Sequence, residues 1–248
     1  MQTPFHLTGK TVLVTGASSG IGRAVAIACA QMGAQVILNA RNVERLEQTR
    51  MAMEGDNHQI CPADLSNVTS IEALVEQLPN LDGVVCCAGV VNTIVFRQTD
   101  EEDLQRIFTT NTFSVIRLLR TLLENKKLKK EASIVCVSSI SGVYCGYMGG
   151  GLYGASKAAL QGLMKALALE VAPRKIRVNT INPGMIATPL LEQTDFTAEQ
   201  LEVDAKRYPL QRYGTPEEVA SAAVYLLSDA TRWMTGTSLL LDGGYTLQ

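Results

Sequence analysis

The stretch Thr11-Val12-Leu13-Val14-Thr15-Gly16-Ala17-Ser18-Ser19-Gly20-Ile21-Gly22 decides the fold. Its first five residues are β-branched or apolar with no polar alternation, the pattern of a strand covered on both faces. Three glycines come next at spacing G-x-x-x-G-x-G, and residues 21–32 then read as a helix. A strand that turns through glycines into a helix makes a site for phosphate. Glycine lets the main chain approach a pyrophosphate, and the helix start offers free N–H groups and the positive end of its dipole. The glycine motif alone also fits any tight turn; its place after the first strand gives it weight.

Outward from this unit the same alternation continues. Further strands are expected at 35–39, 58–61, 83–86, 133–137, 176–181 and 238–241. Helices are expected at 43–53, 68–78, 101–125, 152–171 and 216–227, the last opened by the N-cap Thr215 and by Pro216 with two glutamates. Repeated β-α-β units call for an α/β fold: one doubly wound parallel sheet of about seven strands, helices on both faces, a single domain over 1–248. Residues 188–214 are more polar and show no strand, so a lid over the site is expected there.

Composition narrows the function. With 46% hydrophobic and 19% charged residues the chain can bury a large core, and a net charge of −2 lacks the basic footprint of a nucleic-acid binder. No apolar run approaches the ~18 residues of a membrane span and no leader is visible at 1–10, so a cytoplasmic protein is expected. The six cysteines form no C-x-x-C pair and there are two histidines, which argues against a metal site. Five cysteines read as buried, inert thiols; Cys145, in a glycine-rich loop, is the one placed to face a ligand.

The second strand ends in Asn39-Ala40-Arg41-Asn42. An acidic residue there would bond the 2′-hydroxyl of an adenosine ribose, whereas Arg41 suits a 2′-phosphate, so NADP(H) is favoured over NAD(H). A solvated surface arginine is the plain alternative.

These motifs stand in a longer series: TGASSGIG at 15–22, Asp64-Leu65, Ala88-Gly89, Asn111, Ser139, Tyr153-x-x-x-Lys157, Asn182-Pro183-Gly184 with Thr188, and Leu241-Asp242-Gly243-Gly244. In this order, over essentially the whole length, the chain resembles the short-chain dehydrogenase/reductase family. The resemblance implies a Rossmann-type sheet, a nicotinamide cofactor and a homotetramer. It implies cofactor contacts from Gly16, Ser18, Ser19, Gly20, Ile21, Gly22, Arg41, Asp64, Leu65, Ala88, Gly89, Tyr153, Lys157, Pro183, Gly184, Ile186 and Thr188. It also implies catalysis by Asn111, Ser139, Tyr153 and Lys157. One departure is plain: Cys86-Cys87 stand where the family usually has two asparagines, so only main-chain contacts carry over there.

The chemistry can be argued from the residues. Tyr153 and Lys157 are four apart on a helix and share a face. An ammonium beside a phenol favours the phenolate, so the tyrosine can exchange a proton with a substrate oxygen. Ser139, rather than its neighbour Ser138, is the family match and would hydrogen-bond the same oxygen; Ser141 is a candidate substrate contact. By resemblance, Asn111 holds a water linking Lys157 to solvent, and Lys157 also binds ribose hydroxyls.

Substrate choice falls on segments around 89–97, 141–152 and 185–212, which are apolar and aromatic without an arginine clamp. With Pro209 to Ala220 they look most like the 3-oxoacyl-acyl-carrier-protein reductase branch. Free alcohols such as hydroxysteroids and sugars, or a binding protein without turnover, are the alternatives. For a carrier protein, the clusters Lys126-Lys127-x-Lys129-Lys130 and Arg174-Lys175 are expected to form a basic landing site near the active-site mouth.

Overall fold

The first strand, β1 (Thr11–Thr15), shows why the sheet is two-sided. Val12 and Val14 are buried in one core, and Leu13 between them in another. Successive side chains of a strand point to opposite faces, so an unbroken apolar run requires cover on both. The computed structural model, which describes residues 3–91, 93–189 and 197–248, supplies that cover. The remaining strands are β2 (Gln35–Asn39), β3 (Gln59–Ile60), β4 (Leu81–Cys86), β5 (Leu128–Val137), β6 (Arg177–Pro183) and β7 (Ser238–Leu241). All pair in parallel in the order 3-2-1-4-5-6-7.

On one face α1 (Gly20–Gln31) packs against α8 (Pro216–Leu227), with α2 (Val43–Met51) beside them. On the other lie α3 (Val68–Gln77), α5 (Ser114–Glu124) and α6 (Gly151–Val171), whose Leu74, Leu118, Leu119, Leu160 and Met164 fill the second core. The chain order reverses between β1 and β4, and in such sheets ligands bind outside the carboxyl ends of the strands at that point.

Three local differences from the sequence expectation matter. The helix expected at 101–125 is broken into α4 (Glu101–Phe108), a π-helical turn at Thr109–Phe113, and α5. The turn carries Asn111, and such bulges rotate side chains out of helical register, which a 3.6-residue period cannot foretell. Strand β5 begins five residues early, at Leu128, and its pairing with β4 skips from Leu81↔Leu128 to Gly83↔Ser133. Lys129 and Lys130 therefore lie in an irregular strand start rather than at a helix end. A helix, α7 (Ala198–Ala205), stands inside the expected lid, closed at its start by a Thr197–Gln200 capping box. Residues 190–196 of that lid lie outside the described residues. Among the described residues no helix is long and apolar enough to cross a membrane, and no metal-binding cluster is found.

Candidate active site

The turn after β1 is built for close approach. Gly16 and Gly20 have φ of +67° and +50°, which L side chains avoid. A Cβ on Gly22 would lie 2.2 Å from the Gly16 carbonyl oxygen, and one on Gly16 would lie 2.9 Å from the Ala88 nitrogen. Thr15, a residue not singled out from sequence, locks the neighbouring turn: its Oγ1 accepts from the Cys87 and Ala88 amides at 3.2 and 3.3 Å. A threonine closing the first strand just before the glycines was the available signal. The N-cap of α1, Ser19, makes no side-chain cap bond, and the first turn carries no acidic residue. Five other helices are capped by Asn42, Asn67, Asp100, Thr197 and Thr215, while α5 and α6 also start without a side-chain cap. The start of α1 is thus a cradle of free amides without a competing anion, and it fits a dinucleotide pyrophosphate. Thr188 closes over it, its Cγ2 3.4 Å from where a Gly20 Cβ would stand.

In the turn after β3, Asp64 is half-buried. The Ser66 amide (2.9 Å) and hydroxyl (2.8 Å) donate to its Oδ1, and with the charge of Arg41 they hold the carboxyl below its usual range. Arg41 itself is exposed, and the Leu65 side chain turns into the core. Cys86 and Cys87 pack into opposite cores, and burial pushes both thiols up, so the main chain alone is presented at this turn. Cys145 is half-buried and its thiol is also pushed up by burial; it forms no disulfide, nor does any other cysteine.

The catalytic candidates converge beyond β4 and β5. Lys157, 5% exposed, donates to the Val137 carbonyl at 3.0 Å, and its Nζ lies 5.9 Å from the centre of the Tyr153 ring. A Cβ on Gly89 would stand 3.3 Å from Lys157 Nζ and 3.2 Å from Asn111 Oδ1, so that glycine leaves room for both. The two adjacent serines are told apart by their bonds. Ser138 Oγ donates to the Lys157 carbonyl at 2.9 Å and is used up in holding α6. Ser139 Oγ accepts the Ser141 amide at 3.1 Å, which leaves its own proton to give.

The Asn111 side chain is buried and makes three bonds. Its Oδ1 accepts from the Val90 amide at 2.8 Å, and its Nδ2 donates to the Val90 carbonyl at 2.9 Å and to Ser156 Oγ at 3.1 Å. The side chain is engaged in fixing the turn after β4 to α6. Ser156 and Gln161, which donates to the Ser139 carbonyl at 3.2 Å, complete this frame and were not read from sequence.

The basic clusters meet, since Arg174 donates to the Leu128 carbonyl. They meet at the amino ends of β5 and β6, the opposite end of the sheet from Ser139 and Tyr153. Lys129 is paired with Asp82 at 2.8 Å and Lys175 with Glu131 at 3.5 Å. A landing site near this chain's own mouth is therefore not what these residues form. Parallel strands carry the segments before them to one end of the sheet and the segments after them to the other.

Comparison with known proteins agrees with this geometry. A family model described as enoyl-(acyl carrier protein) reductase matches residues 16–246. The 3-oxoacyl-acyl-carrier-protein reductases of Rickettsia prowazekii and Thermotoga maritima are each 36% identical. They align with 96% and 98% of this chain and 97% and 100% of their own. A solved short-chain type dehydrogenase/reductase from Mycobacterium marinum superposes with a TM-score of 0.89 at 34% identity, covering 98% of both chains. A putative gluconate dehydrogenase from Agrobacterium tumefaciens superposes at 0.90 with 27% identity, covering 99% of both. The chain belongs to the short-chain dehydrogenase/reductase family, nicotinamide-dependent oxidoreductases that interconvert ketones and secondary alcohols.

Proposed function

We propose that this enzyme is an NADP(H)-dependent reductase of 3-oxoacyl groups. The observation that carries the catalytic part is the pairing of a free Ser139 proton with a buried Lys157 beside Tyr153, next to an amide cradle suited to a dinucleotide. Gly16 to Gly22, Asp64, Ala88, Gly89 and Pro183 to Thr188 would hold the cofactor, which would supply the hydride. Ser139 donates a hydrogen bond to the substrate carbonyl oxygen. Tyr153 gives its phenolic proton to that oxygen as the alcohol forms, and the Lys157 ammonium stabilises the phenolate left behind. Asn111 keeps the Val90 turn and α6 in register. Arg41, exposed at the end of β2 without a neighbouring ribose-binding carboxylate, supports the 2′-phosphate.

A 3-oxoacyl substrate is supported by the relatives of that name and by the apolar rim, where Phe96, Val143 and Met148 are exposed. The basic cluster serves a carrier protein only in an oligomer. α6 carries Tyr153 near its start and Arg174 just past its end, about 30 Å away at 1.5 Å per residue. A two-fold pairing of α6 helices sets the end of one beside the start of the other. The far position of this cluster in the single chain favours, as a second reading, a free small ketone.

The test compares a carrier-linked 3-oxoacyl thioester, the same acyl group on a short thiol, a 2-enoyl thioester and a panel of free ketones, with both cofactors. Preference for the carrier-linked oxo substrate, lost in Lys130→Glu/Arg174→Glu and weakened by salt, supports the first reading. Equal rates on carrier-linked and free substrates move the function to small ketones. Activity on the enoyl thioester alone overturns both.

A further inference from the structure

Three amides in the segment 184–187 are tied down, and one of them is held by a side chain. The Gly184 amide donates to the Leu241 carbonyl at 3.0 Å, and the Ala187 amide to the Gly214 carbonyl at 2.9 Å. Between them the Met185 amide donates to the hydroxyl of Tyr208 at 3.0 Å. Tyr208 is 5% exposed and tightly held. Its ring meets Tyr213 edge-on at 5.7 Å and Tyr245 at 4.8 Å, and a Cβ on Gly184 would touch it at 3.1 Å. Tyr213 in turn donates to Asp204 of α7 at 2.9 Å, and the Tyr208 amide donates to the Ala205 carbonyl. Burial pushes the Tyr208 hydroxyl up to about 12, so it remains a neutral partner at working pH.

We propose that Tyr208 is a positioning residue that sets the backbone of residues 184–188 against the dinucleotide cradle and couples it to α7. This rests on the reading that Pro183 to Thr188 grips the cofactor. Three residues beyond Met185, Thr188 stands against Gly20. A segment whose central amide loses its acceptor shifts Thr188 relative to the cradle. The effect is on cofactor grip and leaves the chemistry of Ser139, Tyr153 and Lys157 intact. Nothing in the sequence marks this residue, because a tyrosine before Pro209 reads as a lid residue with no partner.

The experiment is Tyr208→Phe in the full-length enzyme, with Tyr245→Phe as the control that removes a hydroxyl from the same ring cluster. NADPH affinity is measured by fluorescence titration, alongside thermal melting and steady-state rates. Tyr208→Phe is expected to weaken NADPH binding about five- to tenfold, the size of one hydrogen bond to a buried amide. Its kcat at saturating cofactor should stay within about twofold of wild type. Tyr245→Phe should bind NADPH as wild type does. Unchanged affinity in Tyr208→Phe, or equal weakening in both variants, overturns the proposal. Hydrogen exchange on the wild type gives a second measure that needs no variant. On NADPH binding, peptides covering 183–189 and 203–210 should gain protection together, and gain confined to the first overturns the coupling. A wild type that binds neither dinucleotide overturns the functional reading itself and the proposal with it.

Discussion

At the scale of single residues, the site separates proton chemistry from binding. Tyr153→Phe keeps the ring and the helix face and removes the phenolic proton. Turnover should fall by about 10²- to 10⁴-fold, the usual worth of a positioned acid, while NADPH titration remains as in wild type. Near-normal rates on a good ketone would remove Tyr153 from the mechanism. Arg41 tests cofactor choice. A charge-assisted bond to a 2′-phosphate contributes about 1.5–3 kcal/mol, so Arg41→Ala should weaken NADP(H) by roughly tenfold or more and leave NAD(H) nearly unchanged. Equal losses for the two dinucleotides would return Arg41 to the surface.

At the scale of elements, helix ends and buried ties hold the scaffold behind the site. The start of α8 is closed by Thr215 and Glu218. Glu218 accepts from Arg212 at 2.6 and 2.9 Å and from the Thr215 amide at 2.8 Å, which together hold its carboxyl down at about 2. The native value lies below the unfolded value of about 4.3, so the contribution is complete above about pH 5 and fades as pH falls from there toward 2. Because this side chain is 42% exposed, solvent screening limits it to below about 1 kcal/mol. Glu218→Gln should flatten that part of the acid limb in melting curves recorded from pH 7 to 3; an unchanged acid limb would show that the cap contributes nothing there. The stronger tie is Arg177 at the start of β6, 7% exposed. It donates to the Leu226 and Ser228 carbonyls and to Thr231 Oγ1 at 2.8–3.1 Å. Arg177→Met strips donors from buried carbonyls at the end of α8 and should cost about 2–4 kcal/mol by urea unfolding. A loss under about 0.5 kcal/mol would mean that water replaces the guanidinium.

At the scale of the whole molecule, the sheet places the glycine turn, the Asp64 turn, the Ala88 turn, Ser139 and the Pro183 segment at one end, and leaves one helix face open. On α6 the residues Ala155, Ala159, Gly162, Ala166 and Leu169 are exposed at alternating spacings of four and three. A Cβ on Gly162 meets nothing within 4 Å. Leu163 and Leu167, beside the stripe in sequence, turn to the core. Beside the stripe, Phe113 and Ile116 are exposed. Small residues at this period allow close helix packing, and an association of four chains through α5 and α6 is expected. Light scattering should give about four times 26.8 kDa, and Ala166→Arg should lower that mass. A wild-type monomer at micromolar concentration would reject the assembly and, with it, the carrier-docking surface that depends on antiparallel α6 helices.

Features that are local or periodic were legible in the amino-acid sequence alone. The buried strands, the glycine turn, the α8 cap and the Tyr153–Lys157 face depend on neighbours within one turn of chain, and the structure forms each of them. Ser139 is distinguished from Ser138 in sequence only by resemblance; in the structure Ser138 is tied to Lys157, 19 positions away, while Ser139 Oγ bonds within its own turn, to the Ser141 amide. Residues whose partners are distant in sequence were decided only by tertiary structure. Asn111 meets Val90 and Ser156 because a π-turn reorients it, Tyr208 meets Met185 across 23 positions, and Thr15 meets the Cys87 amide across 72. The basic clusters show the same limit in reverse. Their adjacency came from the strand order, but which end of the sheet they occupied depended on strand direction. In a parallel sheet, direction sets the segment entering each strand apart from the segment leaving it by the full length of the strand.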